Sequence, residues 1–292
     1  MKNKKHYLYN DSIGYICLID TMGDQFTPAE DARMSTNKGR LGPEQDIKLQ
    51  TRLLKDRHTS PFEGVVIKIE MCIPIFVRAE LDRHRTITKL GEKELLDEVP
   101  YIPDEHTRKW FSRNEMSSRY IAMPEQYYFP KFVRQQSKTD KQGGGPIQDL
   151  EFAIANTFLA EGRRITAEAR KLYDLAIEQG IEKGQARIFN TQNQYTKIRY
   201  TGGLKNWLDL LTLRLPDNVL WECRRVGEEI RSILTENFPT IMETWETEIY
   251  GSVTLSRLER IQLQNLIELT LESDIEEPLR LVLRKLLYNK KV

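Results

Sequence analysis

Between Val65 and Ile73 the chain reads Val-Val-Ile-Lys-Ile-Glu-Met-Cys-Ile. Val65, Ile67, Ile69, Met71 and Ile73 share one parity, and Val66, Lys68, Glu70 and Cys72 the other. Successive side chains of a strand point to opposite faces, so this spacing predicts a β-strand with one apolar face. It is the clearest strand signal in the chain. Pro74 ends it, and Ile75 to Arg85 is expected to continue as a helix. Upstream, Tyr15 to Asp20 is an apolar run fit for a buried strand. Thr27-Pro28-Ala29-Glu30 has the form of a capping box with proline at the first helical position, predicting a helix through Arg33. Pro43 to Arg57 reads as a second helix with Ile47, Leu53 and Leu54 on its apolar side.

The rest of the chain is mostly helical in pattern. A long helix is predicted from about Asp149 to Gln179, with Gly180 as its stop. Leu204, Trp207, Leu208 and Leu211 mark another, broken at Leu215-Pro216. Asp217 is placed to cap the next, which turns Leu220, Cys223, Ile230 and Leu234 inward. Residues 251–292 read as a helical tail. Ser137 to Pro146 (SKTDKQGGGP) is a flexible loop by composition. Thr86 to Phe111 is highly charged, carries Pro100 and Pro103, and has the character of an insertion.

Composition narrows the class. With 44 basic and 43 acidic residues the formal net charge is +1, where a general nucleic-acid binder would carry a basic excess. No apolar run approaches 20 residues, so no membrane span is expected. The N-terminal MKNKKHYLYN has no apolar core and is not a secretory signal. Cys17, Cys72 and Cys223 are too few and too scattered for a disulfide framework, which points to a reducing cytoplasm. His6, His58, His84 and His106 show no metal-ligand spacing, so no metal is expected. Gly143-Gly144-Gly145 lacks the spacing and lysine of a phosphate loop.

Charge is concentrated in two places. Arg83-His84-Arg85 would point about 100° apart on a regular helix, so the three can face one ligand only at a helix end or a subunit junction. Alone, the triplet reads as a solvated basic face. The segment Phe111 to Tyr120, FSRNEMSSRY, does not alternate like a core strand. In extended backbone Ser117 and Arg119 would point the same way, and a hydroxyl beside a guanidinium makes a phosphate or uracil clamp. Glu115 suits a hydroxyl or an amide better than a phosphate.

Joined end to end, the two pieces spell R-H-R-x-x-S-x-N-E-x-S-x-R-Y, which resembles the signature of the flavin-dependent thymidylate synthases. Here 26 residues separate Arg85 from Ser112, where the family pattern has two. His58 to Glu63 (HTSPFE) is similar to the family's H-x-[ST]-P-F-E segment, and Pro74 to Val77 to the stretch before R-H-R. Gln185-Ala186-Arg187 resembles the family's second arginine element. Leu213-Arg214, before Pro216-Asp217 and Trp221-Glu222, resembles its third. The likeness runs from about Ile13 to Trp245.

The resemblance implies an α+β fold: a mixed, largely antiparallel central sheet flanked by helices, with a helix-rich C-terminal half. It implies a domain over 1–250, with 86–111 inserted in it and 251–292 as a helical extension. The family makes dTMP from dUMP with methylenetetrahydrofolate as one-carbon donor, FAD as cofactor and hydride supplied through NADPH. It assembles as a homotetramer whose active sites are shared. Carried over by position, Ser60, Arg83, His84, Arg85, Glu115, Gly203, Lys205 and Asp209 would serve FAD. Glu80, Arg83, Glu115, Ser117, Ser118, Arg119, Arg187 and Arg214 would serve dUMP, with Arg214 stabilising charge on the pyrimidine. Alone, Arg214 reads as a helix C-terminal arginine on the dipole.

Some positions depart from the family pattern. Glu80 stands where glutamine is usual, and Asp82 where an apolar residue is common. Acid so near a phosphate must be neutralised by Arg78 or Arg83. Gly203-Leu204-Lys205 replaces a segment that often carries asparagine and arginine, and Asp209 and Asn218 replace other polar residues. An enzyme of this family acting on UMP or dCMP is therefore an alternative. A non-catalytic nucleic-acid binder using Arg78, Arg83, Arg85, Trp110, Tyr120, Tyr127 and Tyr128 is a distant one. The rival thymidylate chemistry needs an accessible thiolate, and all three cysteines fall at expected core positions.

Overall fold

Alternation places the central strand as expected. The computed structural model describes residues 2–83, 112–137, 144–149, 152–253, 255–272 and 276–288. In chain order its elements are β1 (Lys5–Tyr7), β2 (Tyr15–Met22), α1 (Thr27–Arg33), α2 (Pro43–Lys55), β3 (Val66–Pro74), α3 (Ile75–Leu81), β4 (Ser112–Glu115), β5 (Arg134–Gln136) and β6 (Gly144–Asp149). There follow α4 (Phe152–Glu178), α5 (Lys183–Ala186), β7 (Tyr195–Gly203), α6 (Leu204–Arg214), α7 (Trp221–Asn237), α8 (Pro239–Trp245), α9 (Arg257–Glu272) and α10 (Glu277–Tyr288). The five-stranded sheet has the order β1-β2-β3-β7-β4, every pair antiparallel. This is the α+β class, with helices around the sheet and predominating after Phe152.

The chain divides into two compact units, Met1–Glu246 and Thr247–Val292. In the first, Val65, Ile67, Ile69, Met71 and Ile73 are fully buried. Trp207 anchors α6 to the sheet: its indole N–H donates to the carbonyls of Ile67 at 3.3 Å and Gly202 at 3.2 Å, so it spans the β3–β7 ladder. Cys223, Val226, Ile230, Ile233 and Leu234 bury the inner face of α7. In the second unit α9 packs on α10. No helix among the described residues is long and apolar enough to cross a membrane.

Several local expectations are corrected. At the start of α1 the Thr27–Glu30 box does not form. The Asp24 carboxylate takes the N–H groups of Phe26 and Thr27, the Thr27 hydroxyl accepts from the Asp24 N–H, and Glu30 pairs with Arg40. The polar pair three residues earlier simply reaches the free N–H groups first. The helix from Ile75 stops at Leu81, and the rest of its predicted length beyond Arg83 lies outside the described residues. Asp217 does not cap α7 but pairs with Arg224. Within the Ser137–Pro146 loop, Gly144 to Pro146 belong to β6, which ladders with β5, and 138–143 lie outside the described residues. Asp149 is likewise in β6, not the following helix. Gly180 is the predicted stop of α4: at φ +75° it lets the Ile181 N–H reach Ala176 O at 2.9 Å.

β7 was not read from the sequence, although its signal is there. Thr196, Ile198 and Tyr200 are buried and alternate with Lys197, Arg199 and Thr201.

Candidate active site

The site is built where α3 leaves the sheet, β4 joins its edge and α6 ends. Pro74 closes β3 and its extended backbone starts α3 directly, so Arg78, Glu80 and Asp82 are carried beside the sheet. β4 pairs with β7 in the register Arg113↔Tyr200 and Glu115↔Ile198. Arg113 and Glu115 thus share the face of Thr196, Ile198 and Tyr200.

On that face the charges interlock. The Tyr200 hydroxyl donates to Asp82 at 2.7 Å, Arg78 Nη1 donates to the same carboxylate at 2.8 Å, and Arg113 donates to it as well. Burial works against ionisation of Asp82, but the bonds from Arg113, Tyr200 and Arg78 outweigh it and hold the carboxyl below its ordinary value. Burial, then the bond to Asp82, pushes the Tyr200 phenol up. Arg78 Nε lies 3.6 Å from Glu115, whose Oε1 accepts the Thr196 hydroxyl at 3.0 Å.

Glu80 gathers the catalytic candidates. Arg214 Nη2 donates to its carbonyl at 3.0 Å, Arg214 Nη1 lies 3.6 Å from its carboxylate, and Arg83 lies 3.2 Å from it on the other oxygen. Both acids that depart from the family pattern are thus neutralised, Asp82 by Arg78 and Arg113, and Glu80 by Arg83 and Arg214. Arg214 is 12% exposed, and its Nε is buried without a hydrogen-bond partner among the described residues.

After β4 the chain turns instead of extending. The Tyr120 N–H donates to Ser117 O at 3.1 Å, so Ser117 and Arg119 are not aligned as strand neighbours. The turn buries Ser118, whose hydroxyl accepts from Arg187 Nη1 at 2.5 Å. Ser117 accepts the Arg119 N–H at 3.4 Å, and the Arg119 guanidinium faces the Tyr120 ring.

The remaining predicted residues sit elsewhere. Ser60 is exposed and opens a 3-10 turn, Ser60–Glu63, whose Phe62 is buried and which packs on α6. Gly203 is buried at the start of α6, and Lys205 pairs with Asp209 at 2.9 Å one turn on. Lys205 and Arg214 lie toward opposite ends of α6, about 14 Å apart at ~1.5 Å per residue. His84 and Arg85 lie outside the described residues. Arg113, Tyr200 and Thr196 were not singled out from the sequence. Only the alternation of β7 points to the last two, and nothing local points to Arg113.

Other readings lose ground. Tyr128 is buried and its hydroxyl donates to Glu222 at 3.0 Å, so it cannot stack on a base, while Trp110 and Arg85 lie outside the described residues. Cys17, Cys72 and Cys223 are free and buried. Burial raises the Cys72 thiol to about 11 and the Cys223 thiol to about 12, which leaves little thiolate at neutral pH. Among the described residues no cluster of His, Cys, Asp and Glu gathers to hold a metal.

A model of the family described as thymidylate synthase complementing protein matches residues 17–240. The flavin-dependent thymidylate synthase of Thermus thermophilus is 32% identical over 255 residues, covering 87% of this chain and 83% of that one. That of Kosmotoga olearia is 28% identical over 236 residues, covering 80% and 90%. A crystal structure of the UMP/dUMP methylase PolB from Streptomyces cacaoi, bound with 5-Br UMP, shares the fold. It has a TM-score of 0.65 and 19% identity, covering 81% of this chain and 95% of that one. With most of its length matched in this way, the chain belongs to the flavin-dependent thymidylate synthase family of enzymes.

Proposed function

We propose that the protein methylates dUMP at C5 to give dTMP, using FAD, with methylenetetrahydrofolate as one-carbon donor and NADPH as reductant. The observation that carries this reading is the convergence of α3, β4 and the end of α6. Helix α3 joins both pieces of the motif to the end of α6: Glu80 takes Arg83 and Arg214, and Arg78 reaches Glu115 of β4, although 26 residues split the motif. Residues 1–250 are read as the catalytic domain, 251–292 as a helical extension, and the cytoplasm as its location.

Arg214 is the residue with the chemical role. It is nearly buried, it is held by Glu80, and its Nε has a hydrogen still to give. A guanidinium so held stabilises negative charge on a pyrimidine ring more than it would in water, because it is oriented in advance. Ser117, Ser118, Arg119 and Arg187 hold the nucleotide phosphate, for which the Arg187–Ser118 bond sets hydroxyl and guanidinium side by side. Glu115, already accepting a hydroxyl, takes a hydroxyl or amide of the ligand.

The donor set suits the flavin. Ser60 belongs to the turn that packs on α6, and Lys205 lies in the first turn of that helix, where backbone N–H groups and the dipole favour phosphate. Arg83, on the carboxylate of Glu80 that also faces Arg214, supplies a cationic donor at the other end of α6, and His84 and Arg85, expected to serve the flavin with it, lie outside the described residues. When bound, the flavin supplies hydride-transfer chemistry for the one-carbon unit. The separation of Lys205 from Arg214 supports a site completed by a second subunit. So does α4, whose Ile154, Phe158, Ile165, Leu172 and Leu175 are all exposed at helical spacing along 27 residues. A homotetramer would cover them.

Action on UMP is the second reading, favoured by Glu80 in place of the usual glutamine. Turnover of dUMP, UMP and dCMP, with the absorption spectrum of the purified protein, tests both. A yellow protein that prefers dUMP is expected, preference for UMP or dCMP selects the alternative, and a colourless protein inactive on all three rejects the proposal.

A further inference from the structure

β4 is an unusual carrier for a binding site. It has four residues, none of them buried, and it lies at the sheet edge. Its backbone is held by the ladder to β7, but no apolar side chain of its own anchors it. A two-residue connection would confine β4 within about 10 Å of Arg85 at ~3.3–3.6 Å per residue. The 26 residues present impose no such limit. Something other than chain connectivity must set where β4 sits relative to α3.

At the end of α3, β4 and β7 both converge on its C-cap residue, Asp82. Arg113 from β4 and its cross-strand partner Tyr200 from β7 reach the same carboxylate oxygen, and Arg78 takes the other. Arg78 then extends to Glu115, two residues along the same face of β4. The charges alternate Arg113, Asp82, Arg78, Glu115. Bonds between ions are short and directional, so such a chain fixes register as well as distance. Without the Asp82 charge, Arg78 and Arg113 become adjacent cations with Glu115 as the acid left beside them, and the chain of contacts reverses sign at its centre.

We infer that Asp82 is a positioning residue that closes the split site: by joining Arg113 and Tyr200 to Arg78, it seats β4 against α3 and so places Glu115 and the Ser117–Arg119 turn. The inference rests on the function proposed above for those residues, but the seating itself can be tested without it.

The experiment uses the full chain with Asp82→Asn, Arg113→Gln and the double variant, and Asp82→Glu as the charge-retaining control. Amide hydrogen exchange is followed in β4 and β3, and KM for dUMP is measured against kcat. Either single variant should speed exchange in β4 about tenfold, leave β3 protected, and raise KM about tenfold with little change in kcat. The double variant should be no worse than either single, and Asp82→Glu should recover most of the protection. Unchanged β4 exchange in Asp82→Asn, multiplying effects in the double variant, or equal loss of protection in β3 would each overturn the inference. If the unmodified protein does not turn over dUMP, the proposed function fails, and the exchange measurements still decide the role of Asp82.

Discussion

β3 and β4 flank the same strand, β7, and are held by opposite means. β3 makes nine registered pairs with β7 and buries an unbroken apolar face under α6. β4 makes four pairs, buries none of its residues, and is tied to its surroundings by charge. Burying a residue such as Ile69 contributes roughly 1.5–3 kcal/mol without requiring any particular partner. A half-exposed ion pair contributes about 0–1 kcal/mol but demands a particular partner in a particular place. The difference separates two jobs. The apolar side makes the fold stable, and the charged side decides where ligand-facing groups stand.

That separation can be broken by substitution. The largest expected effect is on the charged side and on chemistry alone. Arg214→Ala should lower turnover of dUMP about 10²- to 10³-fold, with circular dichroism and the unfolding midpoint near those of the parent. Near-normal turnover would remove Arg214 from the reaction. On the apolar side, Ile69→Ala should cost about 3 kcal/mol of unfolding free energy in urea melts, because it leaves a cavity in the buried core. A cost under about 1 kcal/mol would mean that β3 is not the mainstay assumed here.

Acid offers an intermediate effect, in which the share of Asp82 is read by difference from its variant. Asp82 is held below its ordinary carboxylate value when folded. Its contribution to stability is therefore whole above about pH 4 and is lost as pH falls through the lower, folded value. Urea midpoints taken from about pH 6 to about pH 2 should fall less steeply in Asp82→Asn than in the parent. Parallel curves would show that the carboxylate is not linked to folding. The smallest effect returns to β3 and β7 on their solvent face. There Arg199 Nε pairs with Glu70 at 2.8 Å with the arginine 53% exposed, and Arg199→Ala should cost about 0.5 kcal/mol in the same melts.

What could be read in advance follows the same division. β3, β2, α2, α6 and α7 were legible because period-two or helical spacing of apolar residues reflects a local geometry. Gly180 was legible as a stop because only its backbone conformation matters there. The strand character of Gly144 to Pro146 was not, since glycine and proline speak against a strand and only the ladder with Arg134–Gln136 overrules them. The Thr27 box failed because Asp24, just outside the motif, competes for the same N–H groups.

The amino-acid order by itself determined the apolar layers of the fold and, through its ordered motifs, the family and the set of polar residues at stake. It did not determine which of those residues meet. Asp82 bonds Tyr200 across 118 positions and Arg214 reaches Glu80 across 134, and no periodicity carries such information. A hydrophobic face needs only to be covered, so its pattern is written in neighbouring residues. A charge needs a partner within a few ångströms in space, and that is settled only when the sheet and helices close around it.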